Sequence, residues 1–177
     1  MESIKTEVAD GLSIQWKTFS LDQQNSEKGP DFMMWEHPDY SSRGIPALVA
    51  AKAAENQGEP LFLRFHLATF EARHDEGKDI ADRKVLRGIV EYAGLDPVRF
   101  EQDIAREETW HAVGEDHMES KRKYGVFGVP TLVFGQEQVV FVKLGPIPES
   151  KEERISLFEL IYGMGVKRPY LLELKRP

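Results

Sequence analysis

The segment Tyr124-Gly125-Val126-Phe127-Gly128-Val129-Pro130-Thr131 lies between a stretch of helical spacing and a β-branched run that reads as a buried strand, and it puts proline at that strand's first position. Proline gives no N–H to a sheet ladder, so it belongs at strand starts, edges and bulges. The bond entering it is also the one place where a cis peptide costs only about 0.5–1 kcal/mol. Local chemistry leaves two readings open, a trans-proline turn from helix to strand and a cis-proline that frames a groove. Downstream, 131–134 and 139–144 are β-branched and apolar and are joined by Gly135 and a few polar residues, the pattern of an antiparallel hairpin. Ser150 with Glu153 three residues on makes a capping box, and Ile155, Phe158, Ile161 and Tyr162 supply the inner face of a C-terminal helix.

Upstream, almost everything from Pro46 to Tyr124 has helical spacing. An alanine-rich helix over 47–56 stops before Gly58. A second follows Pro60, with Phe62, Phe65, Leu67, Thr69 and Phe70 as a wide buried stripe ending near Gly77. Val85, Leu86, Ile89, Val90 and Ala93 form a third stripe closed by Gly94, and Asp96 with Pro97 starts the next helix. Trp110, Val113, His117 and Tyr124 line one face of the last helix of this group. Before these helices, Leu12, Ile14 and Trp16 alternate with Ser13, Gln15 and Lys17, which predicts a half-buried strand whose phase breaks at Thr18. The stretch 26–42, rich in Gly, Pro, Asp and Ser, reads as a connecting loop. The chain shows no internal repeat.

Composition removes several function classes. With 23 basic and 30 acidic residues the net charge is −7, and the basic stretches 121–123 and 167–168 are short, so no phosphate-tracking surface and no nucleic-acid partner is expected. No apolar run approaches the roughly 20 residues of a membrane span and no signal-like segment opens the chain, which reads as a cytoplasmic protein without a membrane partner. The cysteine count is zero. That excludes disulfides, cysteine-ligated metals and any reaction in which this chain supplies a thiolate.

The order strand, helices, YGVFGVPT, hairpin and capped helix, with Gly94-Leu95-Asp96 inside the helical stretch, resembles the DsbA-like branch of the thioredoxin superfamily. That branch also holds the 2-hydroxychromene-2-carboxylate isomerase and kappa-class glutathione transferase type proteins. The resemblance covers nearly the whole chain. It implies an α/β fold, a thioredoxin-like sheet at 1–45 and 125–177 interrupted by an all-helical insertion at 46–124. It also implies a cis-proline at Pro130 and a groove in which the backbone of Val129 borders an extended ligand. Phe127, Val129, Pro130 and Thr131 are thereby the candidate ligand-binding residues. Trp35, in its proline-containing loop, joins them if it lines a cleft, and drops out if it plugs the core.

The departure from the family concerns its first strand and the Cys-x-x-Cys turn that opens its first helix. Nothing here matches either, and 1–10 would align with the end of that helix; an alternative local reading makes Ile4, Thr6 and Val8 one arm of a hairpin turning at Asp10-Gly11. The first strand of the usual fold is therefore expected to be absent from these residues: either the reading frame starts upstream with it, or its place is filled by another chain, which would make an oligomer, or by the N-terminal residues themselves. No catalytic residue and no cofactor is assigned. The resemblance points to thiol-disulfide oxidoreductases, whose exchange reaction this chain does not support as given. The alternatives are a non-catalytic module binding a peptide or small molecule in the cis-proline groove, and a glutathione-dependent isomerase or transferase. His66, Glu71 and His74, and His111, Glu115 and His117, are near one another in sequence, but their spacing fits ordinary helix positions and no metal is assigned.

Overall fold

The structure, a computed structural model, describes residues 12–173. The chain divides into two compact units, Lys17–Ser120 on one hand and Met1–Trp16 with Lys121–Pro177 on the other. Residues 17–45, placed with the sheet by the sequence reading, cluster with the helices. The two readings of 1–10 lie outside the described residues.

The helical unit begins with one helical turn, α1 (Leu21–Gln24), capped by the Ser20 hydroxyl, which accepts from Gln23 N. A 3-10 turn follows at Met34–Glu36. Helix α2 (Ile45–Glu55) carries proline in its first turn. The Asp22 carboxylate accepts from Arg43 N at 2.8 Å and Gly44 N at 3.0 Å and thus takes up amides that the start of α2 leaves unbonded. Helix α3 (Glu59–Phe70) runs into a π-helical turn at Glu71–Asp75, and α4 (Arg83–Ala93) ends on Gly94 at φ 77°. Asp96 then caps α5 (Pro97–Ile104) through Val98 N and Arg99 N, and α6 (Glu107–Tyr124) follows.

The core of this unit gathers Met34, Ile45, Val49 and Val113, with Phe32, Leu48, Ile104 and Trp110 packed against them. On α3 the buried stripe is narrower than its sequence suggests. Phe62, Phe65 and Ala68 are buried, while Leu67 and Phe70 are about half exposed. At about 100° per residue Leu67 and Phe70 both lie on the far side of the helix from the centre of the 62/65/68 line, and the Phe70 ring is tilted against His66 and His74 at centroid distances of 4.7 and 5.6 Å.

The predicted strand over 12–17 is corrected in one respect. Leu12, Ile14 and Trp16 are half-buried and Ser13, Gln15 and Lys17 exposed, as the alternation demands, but among the described residues the segment has no ladder partner and is not a strand. Its phase breaks at Thr18 for a tertiary reason. Thr18, Phe19 and Ser20 are buried in succession because side chains of α6 bind their backbone, Asp116 taking Thr18 N at 3.0 Å and His117 Nδ1 taking Ser20 N at 3.2 Å.

In the other unit β1 (Thr131–Phe134) pairs antiparallel with β2 (Gln138–Phe141) across a 3-10 turn at Gly135–Glu137, in the register Thr131↔Phe141 and Val133↔Val139. The ladder reaches one step further, with Val142 N donating to Pro130 O at 3.1 Å. The second strand ends at Phe141 and so stops short of the expected 144. Helix α7 (Lys151–Lys167), capped by Ser150 accepting from Glu153 N, packs on one face of the hairpin. The Phe134 ring meets Phe158 and Tyr162 at centroid distances of 6.3 and 5.3 Å, and Gly165 comes so close to Val140 that a Cβ there would overlap its Cγ2. No residue of α7 is fully buried. Among the described residues no helix is long and apolar enough to cross a membrane.

Candidate functional site

Gly125, at φ 64°, ends the helix before the loop, its N–H donating to Lys121 O. A left-handed residue turns the chain sharply here, which is why glycine stands at this point. Val126 is buried, whereas Phe127 is 63 % and Val129 44 % exposed. The Val129–Pro130 peptide bond is cis. Thr131 Oγ1 donates to Gly128 O at 2.7 Å and closes the loop on itself. Gly128 lets the Phe141 ring approach, since a Cβ there would stand 3.2 Å from Phe141 Cε2, and Phe127 and Phe141 then lie 4.9 Å apart between centroids.

Phe127, Val129, Pro130 and Thr131 thus form one contiguous surface, continued by Val133, Val139 and Phe141 on the hairpin face opposite α7. Its chemistry is apolar, with backbone groups along one margin. The Thr131 hydroxyl is its only side-chain hydroxyl and already bonds Gly128. Such a surface can hold a ligand but offers no acid, base or nucleophile of its own. At its flank Lys123 lies 4.8 Å from the Tyr124 ring centroid and 3.1 Å from Glu137 Oε1; Tyr124 first and Glu137 second raise its pKa above the ordinary lysine value.

Trp35 belongs to the helical unit and is 6 % exposed there. Its indole packs on Gly114 and lies 5.3 Å from the His117 ring, so in this structure it fills the core. The histidines are similarly engaged. His66 sits between Phe62 and Phe70, and burial lowers its pKa. His117 stacks on Phe19 and accepts from Ser20 N. His111 Nε2 stands 3.5 Å from Glu107 on its own helix. Among the described residues no group of three or more His, Asp or Glu side chains is arranged to hold a metal ion.

Sequence reasoning missed an ion cluster around Asp116. This buried carboxylate receives Lys17 Nζ at 2.8 Å, Lys52 Nζ at 2.6 Å and Thr18 N at 3.0 Å, while Glu119 and Glu55 stand at the far sides of Lys17 and Lys52 at 3.1 and 3.0 Å. Burial pushes the Asp116 pKa up, but hydrogen bonds from Lys17, Lys52 and Thr18 outweigh it and the net shift is downward; Glu55, where burial dominates, is raised. Thr18 and Asp116 are 98 positions apart, so no local pattern announces the contact. An open cleft of about 620 Å³ beside it is lined by Lys52, Glu55, Asn56, Arg106, Glu108 and Thr109. Its two cations are each taken by a carboxylate, Lys52 by Asp116 and Arg106 by Asp103, which argues against an anion site.

A family model described as a DSBA-like thioredoxin domain matches residues 1–144. No curated protein matches the chain. The match accords with the architecture above, mostly helical with a small antiparallel sheet: an α/β thioredoxin-like fold carrying a helical insertion.

Proposed function

The chain belongs to the DSBA-like thioredoxin-domain family, and from that membership, together with its lack of any cysteine, we propose that it acts as a non-catalytic binding module whose ligand lies on the surface of Phe127, Val129, Pro130 and Thr131. Exchange of disulfides requires a thiolate that attacks a partner sulfur. These 177 residues supply none. What they present is an apolar surface, and the observation that carries the reading is the 63 % exposure of Phe127 beside the 44 % exposed Val129. A large aromatic side chain left in water represents about 1.5–3 kcal/mol of burial free energy available to a ligand.

Two measurements test it. In an insulin-reduction assay with dithiothreitol the chain is expected to give no turnover above the reagent alone; a clear acceleration would show a redox group that the argument lacks. The second uses insulin B chain with its thiols blocked by a neutral alkyl group, fluorescently labelled, as an extended apolar probe. Binding is expected to weaken about tenfold or more in Phe127→Asp, since loss of roughly 1.4 kcal/mol is a factor of ten. Circular dichroism checks that the variant is folded. Equal binding by the folded variant and the parent would refute this site.

A further inference from the structure

We propose that His117 makes the joint between segment 17–20 and α6 an acid-released latch: the neutral imidazole holds the segment down and the imidazolium releases it. The chain enters the helical unit at Lys17 and leaves it at Ser120, and the latch ties these two ends together. His117 is 1 % exposed, its ring stacked on Phe19 at 4.5 Å and tilted against Trp35 at 5.3 Å. Its Nδ1 accepts Ser20 N–H at 3.2 Å. A ring nitrogen that accepts carries no proton, so the neutral ring keeps its proton on Nε2. Protonation adds a hydrogen to Nδ1 and sets two donors face to face. Ser20 is itself buried, so its N–H then loses its acceptor where water replaces it only if the segment lifts.

The charged groups around the ring are already committed to one another. Asp116, the preceding residue on α6, is taken by Lys17, Lys52 and Thr18 N. Glu119 on α6 and Glu55 on α2 are bound to the same two lysines. Glu36 and His37, beside Trp35, are exposed. Release would also travel along the chain. The Ser20 hydroxyl caps α1, whose Asp22 takes the Arg43 and Gly44 amides and whose Gln23 side chain bonds Phe32 O and Met34 N. Lifting Ser20 therefore loosens the anchor of the 26–42 loop and of the start of α2.

The sign and size follow from proton counting. The lifted state binds a proton on His117 that the latched state does not, so acid favours lifting. With the ordinary histidine value of about 6.5 in the lifted state, the opening constant grows about tenfold between pH 7.5 and pH 5.5. Hydrogen exchange of the full chain, read by mass spectrometry and divided by the intrinsic rate at each pH, measures this. Peptides spanning 17–24 are expected to lose about tenfold in protection at pH 5.5, while peptides from α4 change by less than twofold. In His117→Asn the amide oxygen still accepts from Ser20 N but does not titrate, and the loss is expected to shrink below twofold. A long-range nitrogen-15 spectrum of the parent is expected to place the His117 proton on Nε2 at pH 7.5. Protection of 17–24 that does not change with pH would overturn the latch, as would an imidazolium at pH 7.5. An equal loss in folded His117→Asn would assign the effect to the carboxylates and overturn it too; should that variant not fold, the two measurements on the parent decide.

Discussion

Asp116→Ala is expected to destabilise the helical unit by about 3 kcal/mol, the lower end of the ~3–5 kcal/mol found when one partner of a buried ion pair is removed. The low end applies because Glu55 still faces Lys52 and Glu119 still faces Lys17 after the change. What is lost is the only carboxylate that holds both lysines and also takes Thr18 N. The segment 17–20 would then be attached to α6 through the half-exposed Lys17–Glu119 pair and through His117, which stacks on Phe19 and accepts from Ser20 N. Denaturant unfolding followed by tryptophan fluorescence measures this, and a change under about 0.5 kcal/mol, the size of an ordinary surface substitution, would show that the cluster behaves as exposed ion pairs. Its pH dependence has a definite sign. The native pKa of Asp116 lies below its ordinary value, so its contribution is complete at pH above the ordinary carboxylate range and disappears as pH falls through the lowered native value. Glu55 acts in the opposite sense. Its raised pKa means that ionisation weakens the fold, so acidification into the range just above the ordinary glutamate value relieves that cost before Asp116 is protonated.

Gly114→Ala should cost about 2 kcal/mol even though alanine is the better helix former by up to ~1 kcal/mol. The added methyl would overlap Nε1, Cε2 and Cδ1 of the Trp35 indole, which is wedged against the helix at this point. The two residues should therefore couple. In a Trp35→Leu background the overlap is gone, and the same substitution is expected to be neutral or slightly stabilising, giving a coupling energy within the ~0.5–3 kcal/mol measured for residues in contact. Thermal unfolding of the four proteins of this cycle measures it. Additive effects would mean that the indole simply moves aside and that Trp35 is loosely held.

These two expectations mark where the sequence stopped being readable. Glycine at 114 sits mid-helix with no local signal for its role, and the tryptophan in the Met33-Met34-Trp35 loop is consistent with lining a cleft or plugging a core. Only the approach of two segments 79 positions apart (114 − 35) decides for the core. The Leu12, Ile14, Trp16 alternation was legible and its burial pattern is present, yet alternation reports one face buried and says nothing of whether another strand lies alongside. Likewise Leu67 and Phe70 look like core residues by type; the orientation of α3 against its neighbours leaves them half exposed.

By itself the sequence determined what acts over three or four residues or over composition. The Asp96 and Ser150 caps, the left-handed Gly94, the hairpin after Pro130, the family, and the lack of any cysteine among these 177 residues all follow from neighbouring residues or from composition. Tertiary structure alone decided that Asp116 gathers two lysines and a backbone amide, that His117 anchors Ser20, and which face of the hairpin α7 leaves open. The reason is that caps and turns are satisfied by the nearest donors and acceptors along the chain. A buried charge or an uncovered sheet face is defined instead by which distant segments come to lie against it, and spacing along a sequence carries no record of that.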